Sequence, residues 1–206
     1  RADTEGGFDQ FIKEQAAVGG KCLVTLRQFD NVYERVYTGV PVADVPALNL
    51  EPRGNTALLD AIARMIGELD VDLAKVPLIE KPEVVIVVVM TDGQENSSRE
   101  VTAPAVKALI EAHSGWDFVF LGANLDAVTT GVNYGFKGAS SMRYATASAG
   151  QTYSVLSTNT VSRRSGVGAS AQSVNFSDTD RATAMGEPAP VAAVGSMWQA
   201  PKADTE

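Results

Sequence analysis

Two side chains in this sequence, the hydroxyl of Thr56 and the carboxylate of Asp92, have the chemistry to bind a divalent cation together. Asp92 follows an unbroken apolar run from Val84 to Met90, and Thr56 stands at the start of an apolar-striped helical segment. Hydroxyl and carboxylate oxygens are the hard ligands that Mg²⁺ prefers, in octahedral geometry and with several waters retained. The single histidine and single cysteine of the chain do not supply a zinc site.

Each candidate residue also has a simpler structural interpretation. A Thr-Asp-Gly sequence is common in turns, so Asp92 is equally compatible with a residue that only turns the chain. A hydroxyl at the start of a helix caps exposed backbone N–H groups, and capping alone would account for Thr56. His113 lies at the end of a predicted helix and is interpreted as a C-terminal cap or surface group. Cys22 is interpreted as a buried strand residue.

Polar groups collect where the predicted parallel strands end. Asp92 ends the most apolar strand, Asn124 ends the next one, and Arg53–Thr56 opens the long second helix. In open α/β sheets the loops at this edge form the ligand crevice. Glu95 and Asn96 have the side chains to hydrogen-bond around the Asp92 loop, although solvated loop residues are the simpler interpretation.

The segments that must position these groups alternate between strands and helices. The runs "KCLVTLRQFD" and "VYERVYTGV" predict an antiparallel hairpin. The runs "VVIVVVM" and "DFVFLGAN" lack polar alternation, which is typical of strands covered on both faces. Helical spacing is found in "FDQFIKEQAAVGG", "TALLDAIARMIGELDVDLAK" and "TAPAVKALIEAHSGW". This order predicts a three-layer, Rossmann-like α/β fold, with a mainly parallel sheet and one antiparallel edge strand.

Composition limits the classes of partner. The formal net charge of −8 argues against a protein that binds nucleic acid through its phosphates. No apolar run approaches the ~18 residues that cross a bilayer, so no membrane partner is expected. A single cysteine excludes an intramolecular disulfide and fits a reducing compartment, from which we expect a cytoplasmic location.

The chain divides by composition into two regions. Residues 1–164 are predicted to form one domain. Residues 165–206 are rich in Ala, Ser, Gly and Pro, and predict a tail that is mostly disordered or loosely docked. A short helical turn is predicted within this tail at "SDTDRATAM". Trp198 is its largest apolar residue and is expected to pack back on the domain.

The segment "GNTALLDAI", followed further along the chain by "VVIVVVMTDGQEN", resembles the von Willebrand factor type A domain. The hairpin "LVTLRQFDNVYERVYTG" and the strand "DFVFLGANLDA" match this family in order. The chain is similar in particular to the compact intracellular type found in bacteria and their phages. The resemblance implies a metal-ion-dependent adhesion site in which Thr56 and Asp92 are the second and third elements. Such a site holds Mg²⁺ or Mn²⁺ and grips an acidic group of a protein partner, without catalysis.

One element of the family pattern is absent from this sequence. No Asp-x-Ser-x-Ser occurs upstream of Thr56. In the family that loop precedes the helix that here begins near residue 1, so we expect an N-terminally truncated domain that lacks its first central strand. Two ligands are too few to hold Mg²⁺ against water, so metal binding is expected to be weak or absent in this chain and complete in a full-length form.

Two alternative functions stay open at the level of sequence. One is a metal-assisted or nucleotide-dependent hydrolase that uses the same crevice, although no phosphate-binding loop, nucleophile–base pair or dinucleotide motif is present. The other is a structural or assembly subunit in which the crevice is vestigial.

Overall fold

A three-stranded parallel sheet forms the centre of the protein. The computed structural model describes residues 2–51, 54–123 and 126–190. The sheet has the order β3 (Ile86–Thr91), β4 (Asp117–Ala123) and β5 (Ser141–Tyr144), with parallel pairing throughout. Every residue of β4 is buried, as expected for a strand with helices on both faces. The predicted Rossmann-like α/β class is confirmed.

The helices lie in two layers, one on each face of this sheet. Among the described residues the α-helices are α1 (Ala2–Ala17), α2 (Leu58–Lys75), α3 (Ala103–Ala112), α4 (Ala127–Asn133), α5 (Ala149–Ser165) and α6 (Asp178–Met185). Phe118 and Phe120 of β4 pack with α2, α3 and α4, whereas Val119 and Leu121 pack with α1, α5 and α6. Because successive strand side chains point to opposite faces, β4 builds both cores. None of these described helices is both long and apolar enough to span a membrane.

The predicted hairpin is present and stands beside the parallel sheet. Strands β1 (Leu23–Phe29) and β2 (Tyr33–Pro41) pair in antiparallel fashion. In the described part of the chain they form a separate two-stranded sheet that is not hydrogen-bonded to β3, β4 or β5. Arg27 fixes the hairpin to α2, because its largely buried Nε donates to Glu68 Oε2 at 2.9 Å. The two sheets are therefore linked through α2.

The described part of the predicted tail, residues 165–190, packs on the domain. Val174, Phe176 and Ala184 are buried in the cluster that also contains residues of α1 and α5. Arg181 donates to the carbonyl oxygen of Ser141 at 2.6 Å, which ties this segment to β5. The short helix predicted here is α6, which begins with a capping box. The predicted domain boundary at residue 164 falls inside α5.

Two features of the fold differ from the sequence analysis or were not predicted by it. Helix α5 was not predicted, because its Ser, Thr and Asn residues have low helix propensity. Several of these side chains are buried and bond within the helix, as Thr152 does to the Ser148 carbonyl at 2.9 Å. Cys22, predicted as a buried strand residue, is half-buried and lies just before β1. Trp198 lies outside the described residues.

If residues 165–190 are an integral part of the domain, truncation of Phe176 should destabilise the whole fold. We expect Phe176→Ala to lower the free energy of unfolding by about 3–5 kcal/mol, because it removes a buried ring and leaves a cavity. Val167→Ala is the matched control, since Val167 is 70% exposed; we expect a change within about 0.5 kcal/mol. Urea unfolding followed by circular dichroism measures both, and near-equal effects would show that the segment is only loosely docked.

Candidate functional site

The Thr56 hydroxyl lies against the loop that follows β3. A Cβ atom built on Gly93 would stand only 2.5 Å from Thr56 Oγ1, so the two loops touch at a point where a glycine is needed. The backbone of Thr56 is held there as well, because Thr56 N donates to Asn96 Oδ1 at 2.9 Å and Asn96 N donates to the Thr56 carbonyl at 3.1 Å. Thr56 is therefore in contact with the residue adjacent to Asp92.

Asp92 directly follows β3, and its side chain is exposed. The residue before it, Thr91, is buried and fixes the turn, because its hydroxyl donates to the Gly93 carbonyl at 3.0 Å and accepts from Gly93 N at 3.2 Å. Burial, and in addition the negative charge of Asp92, raise the pKa of Tyr144 at the end of β5. Asp92 thus stands at the carboxyl-terminal edge of the parallel sheet, where α/β folds bind ligands.

Thr56 is not the residue that caps α2. The helix begins at Leu58, and its N-cap residue is Ala57, which has no side-chain hydrogen bond to offer. The free N–H of Leu59 is instead bound by Glu95 Oε2 at 3.0 Å and by the Ser98 hydroxyl at 3.0 Å. The simpler interpretation of Thr56, that its hydroxyl serves as a helix cap, is therefore wrong.

The caps between α2 and the loop after β3 are reciprocal. Asp60 in the first turn of α2 accepts hydrogen bonds from the backbone of Arg99, Glu100 and Val101 at 2.8, 3.0 and 2.9 Å. Burial would raise the pKa of Asp60, but these bonds outweigh it and hold the pKa below its ordinary value. These bonds fix the distance between the two loops that carry Thr56 and Asp92.

Glu95 hydrogen-bonds within the loop after β3, which is the first of its two sequence interpretations, and it also caps α2, which is not predicted. The simpler interpretation of Glu95 as a solvated loop residue is wrong, because its carboxylate binds Leu59 N of α2 and accepts from Ser97 N and Ser98 N. Burial favours a raised pKa for Glu95, and the hydrogen bonds from Ser98, Leu59 and Ser97 reverse this and lower it. No local sequence signal identifies this role, because Thr56 just before α2 has the residue type of a cap and the need for Glu95 appears only once the helix is seen to begin at Leu58.

The residues present fit part of a Mg²⁺ site. Thr56 supplies a hydroxyl and Asp92 an exposed carboxylate, both of the hard-oxygen type, and Mg²⁺ takes about six such ligands including water. No three His, Cys, Asp or Glu side chains group into a metal site anywhere within residues 2–51, 54–123 and 126–190. Asn124 and Arg53, which were predicted to face the same edge, lie outside the described residues.

Comparison of the chain with models of protein families, with curated proteins and with solved structures finds no match. The functional assignment therefore rests on the geometry of this edge and on the sequence motifs that resemble the von Willebrand factor A domain.

The contact between Thr56 and Gly93 can be measured by a double-mutant cycle. We expect Gly93→Ala to lower the free energy of unfolding by about 1–3 kcal/mol, because the added methyl group overlaps the Thr56 hydroxyl. In a Thr56→Ala background the same change should cost clearly less, since the overlapping oxygen is gone. Gly115→Ala is the control, because a Cβ there meets no atom within 4 Å. Additive effects of the two substitutions would contradict the contact.

Glu95 and Asp60 together form a clamp between the first turn of α2 and the loop after β3, and the contribution of Glu95 to this clamp depends on pH. We expect Glu95→Gln to reduce the free energy of unfolding by about 1–2 kcal/mol at neutral pH, because a neutral amide is a weaker cap. The folded-state pKa is lowered, so the wild-type advantage is present above the ordinary value of 4.5 and is lost as pH falls through the folded-state value.

Chemical unfolding at a series of pH values measures this advantage. Glu100→Gln in the same loop is the matched control, because its side chain is 65% exposed and contributes through a surface ion pair. An advantage of wild type over Glu95→Gln that persists unchanged at acidic pH would contradict the charged clamp.

Proposed function

We propose that this protein is a non-enzymatic protein-binding module of the von Willebrand factor A type, in which Thr56 and Asp92 help to hold Mg²⁺ or Mn²⁺. The observation that carries the proposal is the packing of the Thr56 hydroxyl on Gly93, beside the exposed carboxylate of Asp92. The loop before α2 and the loop after β3 thus touch at the carboxyl-terminal edge of the sheet, which supports a site that uses the hydroxyl of one and the carboxylate of the other. On the evidence of the single cysteine we also propose a cytoplasmic location.

The chemistry of such a site follows from the small number of protein charges. When bound, the cation supplies an electrophilic centre with a free coordination position for an acidic group of the partner. The protein's own residues orient this centre. Asp92 contributes the negative charge, Thr56 contributes a neutral oxygen, and the clamp formed by Glu95 and Asp60 keeps the two loops in register. Binding would thus be directional and dependent on divalent cations.

We propose that the remaining ligands come from a further strand that pairs between β1 and β3. Within the described residues β1 pairs only with β2 and β3 pairs only with β4, so each presents a second edge. Val24 and Leu26 of β1, and Val88 and Met90 of β3, are partly buried against the same hydrophobic cluster. A strand parallel to β3 would cover them and would end at the edge where Asp92 lies, in position to present an Asp-x-Ser-x-Ser loop.

The metal-binding proposal is tested with two forms of the protein. We expect calorimetric titration of the present chain with Mg²⁺ or Mn²⁺ to give weak binding or none, because two ligands do not compete with water. A form extended at its N-terminus by a strand and an Asp-x-Ser-x-Ser loop should bind the cation, and Asp92→Ala in that form should abolish binding. Glu100→Gln is the control for loss of one acidic charge and should leave binding unchanged.

Two results would remove the assignment. Micromolar binding by the present chain would show that another ligand set operates, and unchanged binding by the extended Asp92→Ala form would exclude Asp92.

A thermal-shift screen with nucleotides and with divalent cations separates the binding module from the nucleotide-dependent hydrolase. Stabilisation by a nucleotide alone would favour the nucleotide-dependent hydrolase over the binding module.

A further inference from the structure

We propose that His113 and Asp70 form a pH-sensitive clasp that holds the C-terminal parts of α2 and α3 together. His113 is the C-cap residue of α3, as predicted, and it is the single histidine of the chain. Its Nε2 lies 2.9 and 3.0 Å from the two carboxylate oxygens of Asp70 on α2. Its Nδ1 lies 2.7 Å from the carbonyl oxygen of Leu109 in the last turn of α3. One imidazole ring therefore bridges two helices.

The partners of His113 require a protonated ring. A carbonyl oxygen and a carboxylate accept hydrogen bonds and cannot donate them, whereas a neutral imidazole has only one N–H group. In the neutral form, one ring nitrogen would face an acceptor with its own lone pair. Only the imidazolium form, which has two N–H groups, satisfies Leu109 and Asp70 together. The clasp is complete only while the ring is charged.

The surroundings of the ring favour protonation on balance. The hydrogen bond to the Leu109 carbonyl raises the pKa of His113, partial burial lowers it, and the hydrogen bond and charge of Asp70 raise it further. Lys81, in the segment before β3, is the positively charged residue that lines the same cavity. The Trp116 ring, 4.5 Å from the imidazole between centroids, adds an aromatic neighbour that favours a cation. The net result is a pKa above the ordinary 6.5.

The clasp borders a cavity that is already open to solvent. His113, Asp70 and Trp116 line a cavity of about 320 Å³ between α2, α3 and the segment that leads into β3. The Asp70 side chain is 50% exposed, so solvent reaches the pair and protons exchange freely. As pH rises through the folded-state pKa of His113, one hydrogen bond is lost and α2 loosens from α3 at this end. The clasp lies at the opposite end of α2 from the proposed metal site.

The single histidine makes the clasp directly measurable in the full chain. Long-range ¹H–¹⁵N NMR spectra recorded from about pH 5 to about pH 9 report the protonation of both ring nitrogens of one residue. We expect a titration midpoint above 6.5, lowered by Asp70→Asn. Asp72→Asn is the matched control, since Asp72 is on the same helix but pairs with Lys75 at 3.1 Å. A midpoint at or below 6.5, or equal shifts from the two variants, would overturn the clasp.

Unfolding measurements test the consequence for stability. Because the folded-state pKa is raised, the contribution of His113 is fully present below pH 6.5 and is lost as pH rises through the folded-state value. The wild-type protein should therefore lose stability over this interval relative to His113→Gln, whose amide has no charge to lose. Parallel pH profiles of the two proteins would overturn the proposal, and a steeper wild-type decline would support it.

Discussion

The candidate site depends on one reciprocal set of hydrogen bonds between the first turn of α2 and the loop after β3. Glu95 and Ser98 bind the N–H groups that α2 leaves open at its start, and Asp60 of α2 binds three consecutive N–H groups of that loop. Moving either segment would break these hydrogen bonds, and those of Leu59 N and Val101 N are partly buried, so their loss is costly. The positions of Thr56 and Asp92 relative to each other follow from this constraint.

β3 is held less firmly than β4, so the loop that follows β3 needs hydrogen bonds from outside the sheet. β4 is buried on both faces and paired on both edges, so its position is fixed by packing. β3 is buried only at alternate residues, and its second edge has no strand partner among the described residues. Hydrogen bonds to α2 therefore help to hold the loop that follows β3 in place. The two hydrophobic clusters on either side of the sheet hold the strands, and the clamp holds the loop.

Local patterns in the sequence predicted much of this arrangement. The apolar runs correctly predicted β3 and β4, and the chain order of a βαβ fold places the ends of parallel strands at one edge. Non-local bonds could not be predicted in this way. Thr56 has the residue type of a helix cap, yet α2 is capped by Glu95, which lies far away in sequence. Helix α5 is rich in Ser and Thr, and its stability comes from tertiary burial that no local propensity encodes.

The acidic residues of the protein differ in whether their carboxylates are hydrogen-bonded within the fold, and this difference bears on the role of Asp92 at the end of the most apolar strand. The carboxylates of Asp60 and Glu95 are engaged with backbone N–H groups, and that of Asp117 accepts from Arg163 and Ser173. The carboxylate of Asp92 is exposed at the carboxyl-terminal edge of the sheet, whereas Asp117 lies at the opposite edge, at the start of β4. The turn itself is made by the buried Thr91 hydroxyl, so turning the chain does not require an acid at this position. An exposed charge on one hydrogen-bonded loop, next to a second loop that carries a hydroxyl, is the arrangement on which the proposed cation site rests.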